Sequence, residues 1–137
     1  KGLDGQPRPL NISRAMENLD FDCKGDRVEK DYISKQILIE QGESSKIFRL
    51  TTHPNHSYEI FRYEFKDRLE VKNKGQAHVL SLVEGHKIKI TTGERSMVIH
   101  YAETFVVPAA SQKYELINLG ESAVKVIQAS VKPEYAL

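Results

Sequence analysis

An all-β barrel or sandwich is the fold class predicted by this 137-residue sequence. Three observations predict it. From residue 36 onward, short runs rich in β-branched and aromatic side chains follow one another at close spacing. Turn-forming residues separate these runs: Gln41-Gly42, Pro54-Asn55, Asn73-Lys74-Gly75, Gly93-Glu94, Pro108 and Gly120-Glu121. No long stretch of helical periodicity interrupts them.

Residues 1–35 read as an N-terminal arm, a short helix and a loop, and residues 36–137 as the barrel domain. The first ten residues, KGLDGQPRPL, hold two glycines and two prolines and read as an extended arm. A helix is expected over 11–19, because Ile12, Ala15, Met16 and Leu19 recur at helical spacing. Asn11 is the expected N-cap, its side chain accepting a bond from a free N–H of the first turn. Arg14 stands where a capping box would have Glu or Gln. Residues 19–31 are polar and read as loop.

Ten strands are then expected, at 36–40, 46–51, 58–65, 68–71, 77–84, 86–92, 96–100, 104–107, 112–119 and 123–131. In 86–92 the alternation places Ile88 and Ile90 on one face and Lys87 and Lys89 on the other, the pattern of a strand half in water. Val79 to Val83 is apolar on both faces, which predicts a place at the heart of the barrel or against a second domain. Gly85 is expected to make the tight turn between these two strands.

Composition narrows the function classes. With 28% charged residues and a formal net charge of +1, neither nucleic acid nor an anionic membrane is the expected partner. No run approaches the roughly 20 apolar residues of a bilayer span, and no signal-peptide pattern is visible. Cys23, the one cysteine, has no partner for an internal disulfide. The expected location is the cytoplasm. The opening Lys1-Gly2-Leu3 suggests a piece of a longer protein.

Few side chains offer chemistry. His53 and His56, in His-Pro-Asn-His, have the spacing of a metal-gripping pair, but Pro54 and Asn55 mark a turn with no further ligand close in sequence. His100 reads as packing or surface. Cys23 lacks the cationic surroundings of a reactive thiolate, despite Lys24 beside it. Tyr58, Phe61, Tyr63 and Phe65 offer an aromatic platform, yet the last three share strand parity, which points to the core.

The segment AHVLSLVEGHKIKI resembles the first motif of cupins, small jelly-roll barrels also described as double-stranded β-helices. There, histidines and a glutamate from neighbouring strands converge on one interior point. His78 and Glu84-Gly85 match, but the close second histidine is absent. In YAETFVVPAASQKYELIN, Glu103 stands where the second motif has aspartate, Ala110 replaces its glycine, and Gln112 or Lys113 replaces its histidine, while Pro108 and Asn118 remain. The resemblance thus implies a cupin barrel with no metal, cofactor or catalytic residue of its own, and His78 as a core or rim residue bonded to backbone.

The arm and helix, with Asp4-Gly5, Arg8, Leu10 and Ile12, resemble the entry to the C-terminal domain of type I mannose-6-phosphate isomerases, and the later segments resemble the closing cupin of long bacterial members. That resemblance implies an aldose–ketose isomerase for the whole protein, interconverting mannose 6-phosphate and fructose 6-phosphate. Its divalent metal, zinc by family, would be bound in a preceding catalytic domain that is this chain's expected partner, with this domain as scaffold. The alternative is a non-catalytic cupin holding a sugar or sugar phosphate near Lys87, Lys89, Arg95 or Lys113. A stand-alone metal-dependent cupin enzyme is the third reading.

Overall fold

The computed structural model describes residues 5–7 and 9–135. Half of the expected arm, residues 1–4 and 8, lies outside them, Asp4 and Arg8 included. The chain divides into two compact units, Lys1–Ile33 and Ser34–Leu137.

The first unit holds two one-and-a-half-turn helices, α1 (Ile12–Glu17) and α2 (Asp26–Asp31). Helix α1 is shorter than the expected 11–19. Asn11 precedes it, but its side chain makes no capping bond; its carbonyl accepts the Ala15 N–H at 2.9 Å instead. At the far end the Asn18 side chain donates to the Arg14 carbonyl at 2.6 Å and closes the helix. The stripe Ile12, Met16 and Leu19 is exposed.

Helix α2 corrects the expectation of a loop over 19–31. It has no apolar stripe to announce it. Asp26 and Glu29 in its first turn face the positive end of the helix dipole, and Arg27 reaches Asp31 one turn on at 3.8 Å. The Cys23 thiol lies 3.1 Å from the Asp20 carboxylate and 3.0 Å from the Tyr32 hydroxyl.

In the second unit all ten expected strands form: β1 (Gln36–Gln41), β2 (Ser45–Leu50), β3 (Tyr58–Phe65), β4 (Arg68–Lys72), β5 (His78–Glu84), β6 (Lys87–Thr92), β7 (Arg95–His100), β8 (Thr104–Val107), β9 (Lys113–Asn118) and β10 (Val124–Val131). Two short 3₁₀ turns, Ala109–Ser111 and Pro133–Tyr135, were not signalled by the sequence.

The topology is that of one long hairpin rolled up. β6 pairs with β7, β5 with β8, β4 with β9 and β3 with β10, all antiparallel and nested. Rolling brings β10 against β5 and β9 against β6. The results are a six-stranded sheet in the order β1-β2-β3-β10-β5-β8 and a four-stranded sheet in the order β4-β9-β6-β7, the jelly-roll arrangement. Strands β1 and β2 extend one edge.

The inward faces of both sheets form one core that includes Phe65, Leu69, Leu80, Leu82, Ile88, Leu116, Val124 and Val126. In β6, Ile88 and Ile90 face inward as expected. Strand β5 buries one of its two apolar faces in this core. Leu80 and Leu82 are fully buried, whereas Val79 and Val83 on its other face are 44% and 43% exposed. The barrel has a single inside, so a strand apolar on both faces buries only one of them within this chain.

Candidate functional site

Most of the residues singled out in the sequence are scattered over the barrel. His53 and His56 form a turn: the His56 N–H donates to the His53 carbonyl at 3.0 Å and the Asn55 N–H donates to His53 Nδ1 at 3.2 Å. The His56 ring stacks on Tyr58, which faces outward. Glu84 lies six residues along β5 from His78, about 20 Å away at strand rise, and its exposed carboxylate accepts from Lys125 at 2.7 Å. Glu103 serves a turn, accepting the His100 N–H at 2.7 Å. Asn118 clamps the end of β9 by donating to the Lys66 and Ser122 carbonyls, both at 2.7 Å.

Three of the singled-out residues, Phe61, Tyr63 and His78, line the barrel lumen. Along β10 the inward positions run Val124, Val126, Gln128, Ser130, so the lining changes from apolar to polar toward one end. Strand register sets Tyr63 beside Val126, Phe61 beside Gln128 and Glu59 beside Ser130. This polar end encloses a cleft of about 690 Å³ whose wall includes Phe61, Tyr63, Asn73, His78, Gln128 and Ser130. The aromatic run of β3 therefore divides as parity requires: Tyr63 and Phe65 are buried, and Phe61 packs half-buried against the core.

Two side-chain hydrogen bonds lie at this end. Tyr63 donates its hydroxyl to Gln128 Oε1 at 3.1 Å. His78 Nδ1 lies 2.9 Å from the Tyr114 hydroxyl oxygen, and the imidazole tautomer decides which of the two donates. The partner of His78 is thus a side-chain hydroxyl and not the backbone expected.

Burial favours the uncharged form of all three groups. It lowers the His78 pKa, pushes Tyr63 up to about 12, and raises Tyr114 further still.

Asn73 and Gln128 were not found by sequence reasoning. Asn73 follows β4, its side-chain N–H groups donating to the Pro108 and Ala109 carbonyls at 3.0 and 3.3 Å. It read only as a turn residue. Gln128 sits in Val-Lys-Val-Ile-Gln-Ala-Ser-Val, where neither parity is cleanly polar. The lysines expected at a sugar-phosphate site also fall elsewhere. Lys87 and Lys89 lie on the face of β6 opposite its buried isoleucines, Arg95 lines a separate cleft with Met97 and Val106, and Lys113 pairs with Glu70 at 3.8 Å. The lysines beside the lumen are Lys72 and Lys74.

His78 is the one imidazole of the lumen, with Nδ1 already engaged. Among the described residues no three His, Cys, Asp or Glu side chains are grouped to hold an ion.

No family model matches the chain, and no curated protein does. Solved structures do. The cupin domain of Cnp3 from Schizosaccharomyces pombe is 15% identical over 74% of this chain and 88% of its own, with a TM-score of 0.57. A cupin-2 domain from Rhodospirillum rubrum is 10% identical over 72% and 69%, also at 0.57. The mannose 6-phosphate isomerase of Bacillus subtilis is 13% identical over 93% of this chain but 36% of its own, at 0.64. At such identities the likeness is one of fold. The chain has a cupin fold.

Proposed function

We propose that this chain is the C-terminal cupin domain of a mannose-6-phosphate isomerase-like protein, which braces a preceding catalytic domain and does no chemistry itself. The observation that carries this reading is the extent of the isomerase likeness. A match over 93% of the chain is longer than Ser34–Leu137 alone can supply, so it takes in part of the helical unit, whereas the two cupin domains match 74% and 72%. The outward side chains of Val79, Val83, Val106 and Val131, all more than 40% exposed, give the six-stranded sheet apolar positions of the kind a neighbouring domain covers.

On this reading the zinc-type metal acts as Lewis acid in the preceding domain, and no step of the isomerisation passes through residues of this barrel. The test is a coupled assay of mannose 6-phosphate and fructose 6-phosphate interconversion. The isolated chain is expected to show no turnover with zinc added, and turnover by it overturns the reading. The residues encoded before Lys1 supply the second check: they are expected to include two or three histidines and a glutamate able to hold the metal, and their absence overturns the family assignment.

A further inference from the structure

The polar end of the lumen carries hydrogen-bonding capacity that the protein itself does not use. Gln128 and Asn73 are each 1% exposed, yet Gln128 Nε2 and Asn73 Oδ1 have no partner. Buried amide atoms are nearly always paired, so two orphans on the wall of one cleft call for a reason. The two carbonyls facing Asn73 fix its orientation. Gln128 accepts from Tyr63 through Oε1, which leaves its NH₂ over. Asn73 donates to two carbonyls through its NH₂, which leaves its oxygen over.

The unused pair is thus a donor and an acceptor, and a hydroxyl-bearing molecule answers both because each hydroxyl accepts and donates. Ser130, buried on the same face of β10 as Gln128, adds a third polar position. Phe61, opposite Gln128 in register, supplies an apolar wall. The charges around the cleft decide against an anion: Glu40, Glu59 and Glu70 line it against Lys72 and Lys74, so a phosphate would find no cationic excess. The volume of about 690 Å³ lies in the usual range for small-molecule sites.

We propose that this end of the lumen binds an uncharged polyhydroxylated molecule of monosaccharide size, with Gln128 donating to one of its hydroxyls, Asn73 accepting from another, and Phe61 against its C–H face. The site stands independently of the scaffolding role.

The test is an NMR titration of the 137-residue chain, following the side-chain NH₂ signals of Gln128 and Asn73. D-glucose, D-mannose and D-mannitol serve as neutral probes, added to about 50 mM, well past a millimolar Kd. At least one is expected to shift both signals saturably, with its 6-phosphate binding no more tightly. Gln128→Met keeps the volume and removes the amide, and is expected to weaken binding by about tenfold. Phe61→Leu gives a second reading of the same wall if the Met variant does not fold. The proposal is overturned if neither signal saturates with any neutral probe, if a phosphate binds about tenfold more tightly than its parent sugar, or if both variants bind as the wild type does.

Discussion

His78 shows how one buried side chain ties pH to stability. Burial lowers its pKa from an unfolded value of 6.5, so the unfolded chain binds the proton more readily than the folded one. Its contribution to stability is therefore fully present above about pH 6.5 and is lost as pH falls through the lower folded value. Glu59, raised from 4.5 mainly by burial and opposed by Arg49, acts in the opposite sense: its contribution is present below about pH 4.5 and is lost as pH rises through the folded value. Urea midpoints are expected to fall between about pH 7.5 and 5.5, and His78→Gln to flatten that limb; an unchanged slope in the variant would rule out His78 as its source. The Tyr63–Gln128 bond is testable by a double-mutant cycle. Tyr63→Phe and Gln128→Leu are each expected to destabilise, and the double variant by less than their sum, with a coupling of about 1 kcal/mol. Additive losses would mean that the 3.1 Å contact contributes nothing. The cluster itself was hardly legible in the sequence. His78 stood out through its cupin-like setting, but its hydroxyl partner lies on β9 and the orphan amides lie on β10 and after β4. Only the nested strand pairing, which no local pattern encodes, brings them together.

Single elements were far more legible than the site, because strand alternation is a local signal. All ten strands form within a residue or two of their expected ends. Helix α2 escaped because charge placement over six residues holds it, and periodicity has nothing to detect there. The outward valines of β5 were legible as a second apolar face, but apolar side chains mark a surface to be covered without saying what covers it. Gly85 was read correctly as a turn, and its geometry sharpens the expectation. Its φ is +105°, and a Cβ there would lie 2.4 Å from Cγ1 of the fully buried Val124. Gly85→Ala is expected to cost about 2–4 kcal/mol, combining backbone strain with overpacking. Guanidinium unfolding at an unchanged m-value measures it, and a loss under about 1 kcal/mol would show that the β5–β6 turn yields easily. Within β5 the two faces should separate cleanly. Leu82→Ala, at a site with no exposure, is expected to cost about 2–5 kcal/mol, whereas Val83→Ala in the isolated chain should cost less than about 1 kcal/mol. Similar losses at both positions would contradict the single-sided burial seen here.

For the molecule as a whole, the rolled hairpin imposes an order on folding. At its tip, β6 and β7 are joined by a two-residue turn at Gly93-Glu94 and pair residue for residue from Lys87–His100 to Thr92–Arg95. At its open end, Tyr58 must find Val131 and Phe65 must find Val124 across nearly the entire barrel sequence. Closing so long a loop carries an entropic penalty that only the finished core offsets, so the outer ladder should form late and refolding should take milliseconds to seconds. Two substitutions separate these events. Ile99→Val, at a buried site on β7 facing Ile88, should mainly slow folding, with a φ-value above about 0.5. Val126→Ala, on β10 between β3 and β5, should mainly speed unfolding, with a φ-value below about 0.3. Stopped-flow chevrons of the two variants decide the matter, and the reverse order would mean that the barrel closes from β3 and β10 inward. The same order bears on the lumen. Gln128 belongs to the last strand in place, whereas Tyr63 and Tyr114 come from strands on opposite sheets, so these side chains come together only when the roll has closed.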